Sequence, residues 1–443
     1  MDLTKGKRFK YFKVTWLILI LGTVCDLTLS GKVNLGFFNI NIQLSSIAVI
    51  IYIISFFIVY PLKEFPAVFK NKLYRNNIIV FTLLLIIAYV SSYFSLFQKY
   101  ALVTTTSRYT LYLMALVISL SYVKYFEKAG EFILKSFIYT NFLIILSCLA
   151  DYYIPDFYQF LVDHFGHMES KHSVMRIDGV VYKRPSGFIT DTNLTAFSLG
   201  FSSFILLINR NKFNKYFEYA FYILAGYCFG MASSRSAFIL IIFLLVSALI
   251  LKKVSWRYGV IYFLLFIAVQ FITPQTQARF FDISNKEKKI EEMELGRPLI
   301  WKADYLAMRI KPVIGIGSGV FFKLSDTLIA RVKNEITDEQ LNTAISDTRI
   351  DPVKGINPHN IFFTMQIEYG IAGTVLFIIL VLYNIINFFK TKNYLTLAAA
   401  LGILFVSSLS NYAPYYKYYL LMFIIFYVLA DYKLRPGNEV PKG

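Results

Sequence analysis

The sequence predicts an all-α polytopic membrane protein of about twelve transmembrane helices, with a large extracytoplasmic loop that carries short surface helices. Three observations predict it. Apolar runs recur along the chain at about 17–20 residues, the length that crosses a hydrocarbon core about 30 Å thick. Lys and Arg gather in alternate short connections. One polar stretch, 274–358, is far longer than the other connections. Composition agrees, since 57% of the 443 residues are hydrophobic, against roughly 45–50% in a soluble domain.

Taken in order, the spans fall at 14–30, 43–61, 77–96, 103–123, 134–150, 192–208, 217–232, 236–251, 258–273, 360–389, 394–410 and 414–430. The first follows a basic start but has the length of a span, so it reads as a retained helix and not a cleaved signal. The run at 360–389 is long for a bilayer, which calls for tilt or for projection beyond it. Basic clusters occur at Lys5, Lys7, Arg8, Lys10 and Lys13; at Lys63, Lys70, Lys72 and Arg75; at Lys124 and Lys128; at Arg210, Lys212 and Lys215; at Lys252, Lys253 and Arg257; at Lys390 and Lys392; and at Lys433 and Arg435. All seven fall on one side of a twelve-span arrangement. The positive-inside rule makes that side cytoplasmic, with both termini there and the long loop outside. The net charge of +18 is then an orientation signal, with some attraction to anionic membrane lipid. No soluble module is present to carry nucleic-acid binding. Cys25, Cys148 and Cys228 lie in or beside apolar spans and indicate neither a disulfide framework nor a zinc cluster.

The chain reads as a single transmembrane domain, 1–443, with a smaller extracytoplasmic loop at 151–189 and the larger one at 274–358. The larger loop holds 13 Lys/Arg and 12 Asp/Glu, a near balance that favours a partly folded segment over a bare linker. Within it, Pro298 suits a first helical turn, and Pro312 should end the run. Apolar residues at 299, 300, 306 and 310 predict an amphipathic helix on the membrane surface. Gly315-Ile316-Gly317-Ser318-Gly319 follows, a pattern that permits tight turns or close backbone approach.

The polar residues crowd the outer face. Arg184 stands in Arg184-Pro185-Ser186-Gly187-Phe188, ahead of Asn193. Arg235 stands in the short turn Ser233-Ser234-Arg235-Ser236. Arg297 opens the surface helix, His359 closes the long loop beside Asn360, and Arg108 lies just inside the outer end of the fourth span. Arginines in short outer turns run against the positive-inside rule. A guanidinium fork binds phosphate oxygens bidentately and keeps its charge, so converging arginines suit a lipid-linked diphosphate. A histidine beside them can serve as general base. Bland readings compete at each position. Arg108 can snorkel to water, Arg184 and Arg235 can hold turns, Arg297 can pair with a nearby acid at a helix start, and His359 can make a cap contact. His164, His167 and His172 are too loosely spaced for a recognised metal site. No acidic cluster suits Mg²⁺, which favours a metal-independent mechanism without cofactor. Asp26 and Glu368 are acids within apolar spans, so a substrate or proton path and a structural ion pair both remain open.

Four segments resemble the membrane O-antigen polymerases and O-antigen ligases: Arg184 to Phe188 with Asn193; Ser233 to Ala237; Gly296 to Trp301 running on to Pro312 and Gly317; and His359-Asn360 through Glu368-Tyr369-Gly370 to Gly373. The resemblance implies an inverting, metal-independent glycosyltransferase of the bacterial inner membrane. Its substrate would be an undecaprenyl-diphosphate-linked oligosaccharide on the periplasmic face, with a chain-length regulator or flippase as partner. It makes Arg297 and His359 catalytic, the latter as general base, and gives Arg184, Arg235 and Arg297 to the diphosphate. Asn360, Glu368 and Asn193 support them. Arg108 and the three clustered histidines match nothing in the family. The Arg-Pro-Ser-Gly-Phe segment resembles polymerases more than ligases, so the reading is a polymerase joining repeat units, with a ligase acting on lipid A–core as the alternative. Transport of a lipid-linked glycan also suits twelve spans, but it calls for internal repeats and midplane binding residues; a scaffold role is the remaining reading.

Overall fold

The computed structural model describes residues 4–24, 28–34, 39–165, 174–177, 180–189, 191–280, 299–337, 339–340 and 360–410. The first helix, α1 (Lys5–Val24), ends six residues before the end of the first predicted span, 14–30. Asn39-Ile40-Asn41-Ile42-Gln43 alternates polar and apolar residues, the period of a strand and not of a helix. Accordingly β1 (Thr28–Asn34) and β2 (Asn39–Gln43) pair antiparallel, with Val33 opposite Ile40. Then follow α2 (Leu44–Val59), α3 (Ala67–Lys70), α4 (Lys72–Tyr93), α5 (Gln98–Thr105), α6 (Leu111–Tyr125), α7 (Ala129–Tyr153) and α8 (Pro155–Phe165). A second hairpin, β3 (Val174–Ile177) with β4 (Val180–Lys183), precedes α9 (Thr192–Ile208), α10 (Lys215–Ala232), α11 (Arg235–Ile250), α12 (Trp256–Tyr262) and α13 (Pro274–Phe280). The described part of the long loop contributes α14 (299–310) and α15 (Val320–Val332). The chain returns through α16 (Ile361–Lys390) and α17 (Tyr394–Ser410).

Among the described residues, three helices are long and apolar enough to cross a membrane: α4, α7 and α16. The pair Leu44–Val59 and Leu62–Lys70, bent by 98°, would make a fourth. Of the twelve expected spans, three or four meet this test of length and composition among the described residues. Helices α6, α9 and α11 and the run Trp256–Ala268 are apolar but shorter, and the predicted span at 414–430 lies outside the described residues. Two helical runs contain π-turns, Thr106–Thr110 between α5 and α6 and Phe263–Ala268 after α12. Such turns recur at functional sites or where another chain presses close. The second one brings the Phe266 carbonyl against Gly226, where an added Cβ would stand 2.4 Å from that oxygen.

Helix α9 is buried along nearly its whole length, packed by α7, α10 and α11. In a bilayer the lipid is as apolar as the core, so helices associate through close packing and interhelical hydrogen bonds. Here Ser198 donates to Asn141 at 2.7 Å, Ser203 bonds Tyr262 at 2.8 Å, Trp16 donates to Ser136 at 2.7 Å, and Asn384 donates to Asn77 at 2.7 Å. Basic clusters meet across elements. Lys5 lies over the Tyr125 ring at 5.1 Å, and the Arg210 guanidinium lies 3.0 Å from the Tyr258 centroid.

The long α16 is two helices joined at a kink. Gly370 has φ 64° and ψ −163°, which breaks the helix within the long tenth span. The glycine-rich loop after α14 fills the break. Ile316 N–H donates to the Ile367 carbonyl at 2.8 Å, Gly317 N–H to the Glu368 carbonyl at 3.1 Å, and Ile371 N–H to the Pro312 carbonyl at 3.0 Å. The approach is backbone to backbone. A Cβ at Gly315 would lie 2.3 Å from Glu368, and one at Gly370 would lie 2.2 Å from the Val313 oxygen. Gly370→Ala combines a clash with a backbone region reserved for glycine, which alone costs about 1–3 kcal/mol. It should lower the yield and melting temperature of solubilised protein, measured by size-exclusion and thermal unfolding. Gly6→Ala, with nothing within 4 Å of its added Cβ, should leave both unchanged.

Candidate functional site

Four chain segments meet around Arg184. Its loop is fixed from below by Asp151 at the end of α7, whose carboxylate accepts from Ser186 N–H at 2.9 Å and Gly187 N–H at 3.2 Å and pairs with Lys183 at 3.1 Å. Gly187 has φ +60°, and a Cβ there would stand 2.3 Å from Ser147 Oγ, so glycine suits the position on both counts. Arg184 itself is buried, at 6% exposure. Its Nε donates to the Ala232 carbonyl at 2.8 Å, and Nη2 donates to Asn193 Oδ1 at 3.2 Å. The fourth segment is α13, where Gln275 Nε2 donates to the Lys183 carbonyl at 2.9 Å.

Asn193 is therefore a direct partner of Arg184. The guanidinium is turned inward onto the last residue of α10, where it holds the turn that leads to Arg235. That turn is only Ser233-Ser234, with Ser233 in the left-handed region. Arg235 is the first residue of α11 and is exposed.

The second half of the site lies across α14, the glycine loop and α16. Arg297 and His359 lie outside the described residues, but the helices that follow them are in contact: the Trp301 and Phe363 rings stand 6.5 Å apart, edge to face. Asn360 caps α16, its Oδ1 accepting from Phe362 N–H at 2.8 Å and Phe363 N–H at 3.3 Å. Glu368 is buried, and its carboxylate accepts from Gly319 N–H at 2.9 Å, from the Tyr369 hydroxyl at 2.9 Å and from the Tyr109 hydroxyl at 3.2 Å. Ser318 Oγ bonds Thr105 Oγ1 at 2.7 Å and Tyr369 at 3.2 Å, so helix α5 joins the cluster. Arg108 lies in the π-turn Thr106–Thr110. Of the clustered histidines, His164 ends α8 exposed, its ring 4.5 Å from that of Phe160; His167 and His172 lie outside the described residues, as does Asp26.

Helix α14 corrects one expectation. The apolar stripe 299, 300, 306 and 310 is only half-buried, and Trp301 is exposed; the fully buried face is Ala303, Asp304 and Ala307. Asp304 went unnoticed in the sequence, since the stripe was read from large apolar residues, and an acid flanked by alanines at 303 and 307 was its only signal. The carboxyl is fully buried, and among the described residues neither oxygen has a hydrogen-bond partner. Burial alone pushes its pKa up to about 8, because desolvation penalises the charged form.

The long apolar helices are those of an integral membrane protein, and polar side chains converge where residues 311–319 meet α4, α5 and α16. Comparison takes that class one step further. Residues 220–378 match the family model Wzy_C, described as O-antigen ligase. The matched stretch holds the Ser233–Ser236 turn, Arg297, the glycine loop, His359 and Glu368, whereas Arg184 and Asn193 lie before it. No curated protein and no solved structure matches the chain significantly.

The buried acid sets a pH dependence. The folded-state pKa of Asp304 is raised above its ordinary value, so the protein binds this proton more tightly folded than unfolded. Its contribution is most favourable below about pH 4. It then declines by roughly 1.4 kcal/mol per pH unit until the folded pKa near 8 is reached. Asp304→Asn should flatten the fall in thermal stability between pH 4 and 8 and raise the melting temperature at pH 8, measured by scanning fluorimetry across pH. An unchanged slope would exclude this group as its source.

Proposed function

We propose that this chain is a polysaccharide polymerase: an inverting, metal-independent glycosyltransferase that joins undecaprenyl-diphosphate-linked repeat units at the outer face of the bacterial inner membrane, with both termini in the cytoplasm. The observation that carries the reading is the family match over 220–378, within which the helices following Arg297 and His359 touch through Trp301 and Phe363.

In this reading His359 takes the proton from an acceptor sugar hydroxyl. The oxygen attacks the anomeric carbon of the donor from the face opposite the diphosphate. The bond from that carbon to the diphosphate oxygen breaks, and the configuration inverts. Arg297, with Arg235 and Arg184, stabilises the charge that develops on the departing diphosphate. Arg184 acts there through the turn it holds, since its Nε and Nη2 bond Ala232 and Asn193. The membrane supplies the lipid-linked donor, and a chain-length regulator or flippase is the partner expected around such an enzyme.

The alternative is a ligase, with lipid A–core as acceptor; the family match is compatible with both. Transport finds less support, because the break in α16 is packed by the protein's own loop and leaves no room for even an added Cβ at Gly370.

His359→Ala and Arg297→Ala should each abolish long-chain polysaccharide while insertion stays normal. Wild-type chain lengths in both would overturn the site assignment. Purified protein given lipid-linked repeat units alone should make polymer. Product only on addition of lipid A–core would make it a ligase, and lipid movement across the bilayer without product would make it a transporter.

A further inference from the structure

Four separate elements meet at Glu368, through its carboxylate and its carbonyl. Its carboxylate takes the Gly319 N–H, from the loop that starts α15, and the Tyr109 hydroxyl, from the π-turn. Its carbonyl takes the Ser91 hydroxyl of α4 and the Gly317 N–H. The fourth element is α16, on which it stands two residues before the Gly370 break. A helix carbonyl released by a break needs a replacement donor, and a buried acceptor without one is costly. Here the replacement donors come from the loop whose other end continues α14. The position of the short first half of α16, starting at Asn360, is thus tied to that of α14 by the same residue.

We infer that Glu368 is a positioning residue: acting as a hydrogen-bond acceptor, it sets the separation between the segment after Arg297 and the segment after His359. This rests on the polymerase or ligase reading above. Glu368 does not exchange a proton in the reaction. It stands nine residues along the chain from His359, at the other end of the first half of α16 from Asn360. Gly319 N–H and the Tyr369 and Tyr109 hydroxyls all aim at its two oxygens, which is the pattern of an anchor.

The test uses full-length protein in detergent or nanodiscs, assayed with its native lipid-linked repeat units. Glu368→Ala should lower kcat by about a hundredfold, the order of effect of a misplacement near 1 Å, with KM little changed. Hydrogen exchange of the peptide covering Gly315–Gly319 should quicken in the same variant. Glu368→Gln keeps an acceptor oxygen and should recover a large part of both kcat and protection, with the pH–rate profile unmoved. Tyr109→Phe removes one donor and keeps the ring, so it should show a milder loss of kcat at constant KM, and it serves as the test if Glu368→Ala does not insert. Wild-type kcat in Glu368→Ala, or in Tyr109→Phe where that variant stands in, would overturn the inference. So would Glu368→Gln as inactive as Glu368→Ala with a displaced pH limb, since that marks an acid–base role. If wild-type protein makes no glycan product at all, the functional reading fails; a change in exchange at 315–319 in Glu368→Ala would still report the anchor.

Discussion

The backbone pairing between the glycine loop and the broken helix is the constraint on which the described site depends. Within apolar surroundings every N–H and C=O must find a partner inside the protein. A helix broken at Gly370 releases the carbonyls of Ile367 and Glu368, and the amides of Ile316 and Gly317 take them up. The Pro312 carbonyl in turn accepts from Ile371, beyond the break. Neither part is satisfied without the other, so loop and helix form a single folded unit. Serines 91, 92 and 95 at the end of α4 then bind to that unit: Ser91 donates to the Glu368 carbonyl, Ser92 bonds Ser318, and Ser95 donates to the Ile316 carbonyl.

This accounts for the three glycines at 315, 317 and 319. All have positive φ, and at 315 and 317 an added Cβ would meet Glu368 backbone or Ser95 closer than any real contact. Sequence alone permitted either a tight turn or close approach to a ligand. The structure shows close approach, but to another part of the same chain.

Much of the architecture was legible in the sequence for simple reasons. The apolar runs at 192–208 and 394–410 coincide with α9 and α17, because nothing within them interrupts a helix. The α14 run ends at Ile310, two residues before Pro312. Other features depend on information that pattern does not contain. The strand following α1 was hidden by reading hydrophobic content without its two-residue alternation. The break at Gly370 was hidden because glycine is tolerated in apolar helices and only the partner loop reveals the kink. At the site, the Arg184–Asn193 pairing was visible as a motif nine residues apart, but the bond to Ala232 joins segments 48 residues apart and has no local signature. Asp304 shows the same limit: an acid in an amphipathic helix looks solvated until the tertiary packing places it inside.

The short turn between α10 and α11 has a consequence in electrostatic terms. A helix ends with partial negative charge at its last carbonyls and begins with partial positive charge at its first amides. Here the end of one helix and the start of the next are separated by only Ser233 and Ser234. Left alone, the two fields would largely cancel at that point of the surface. The Arg184 guanidinium donates to the Ala232 carbonyl and so offsets the negative end. The positive end of α11, which begins with Arg235, is left to set the local potential. A buried arginine can in this way make a neighbouring patch attractive to an anion.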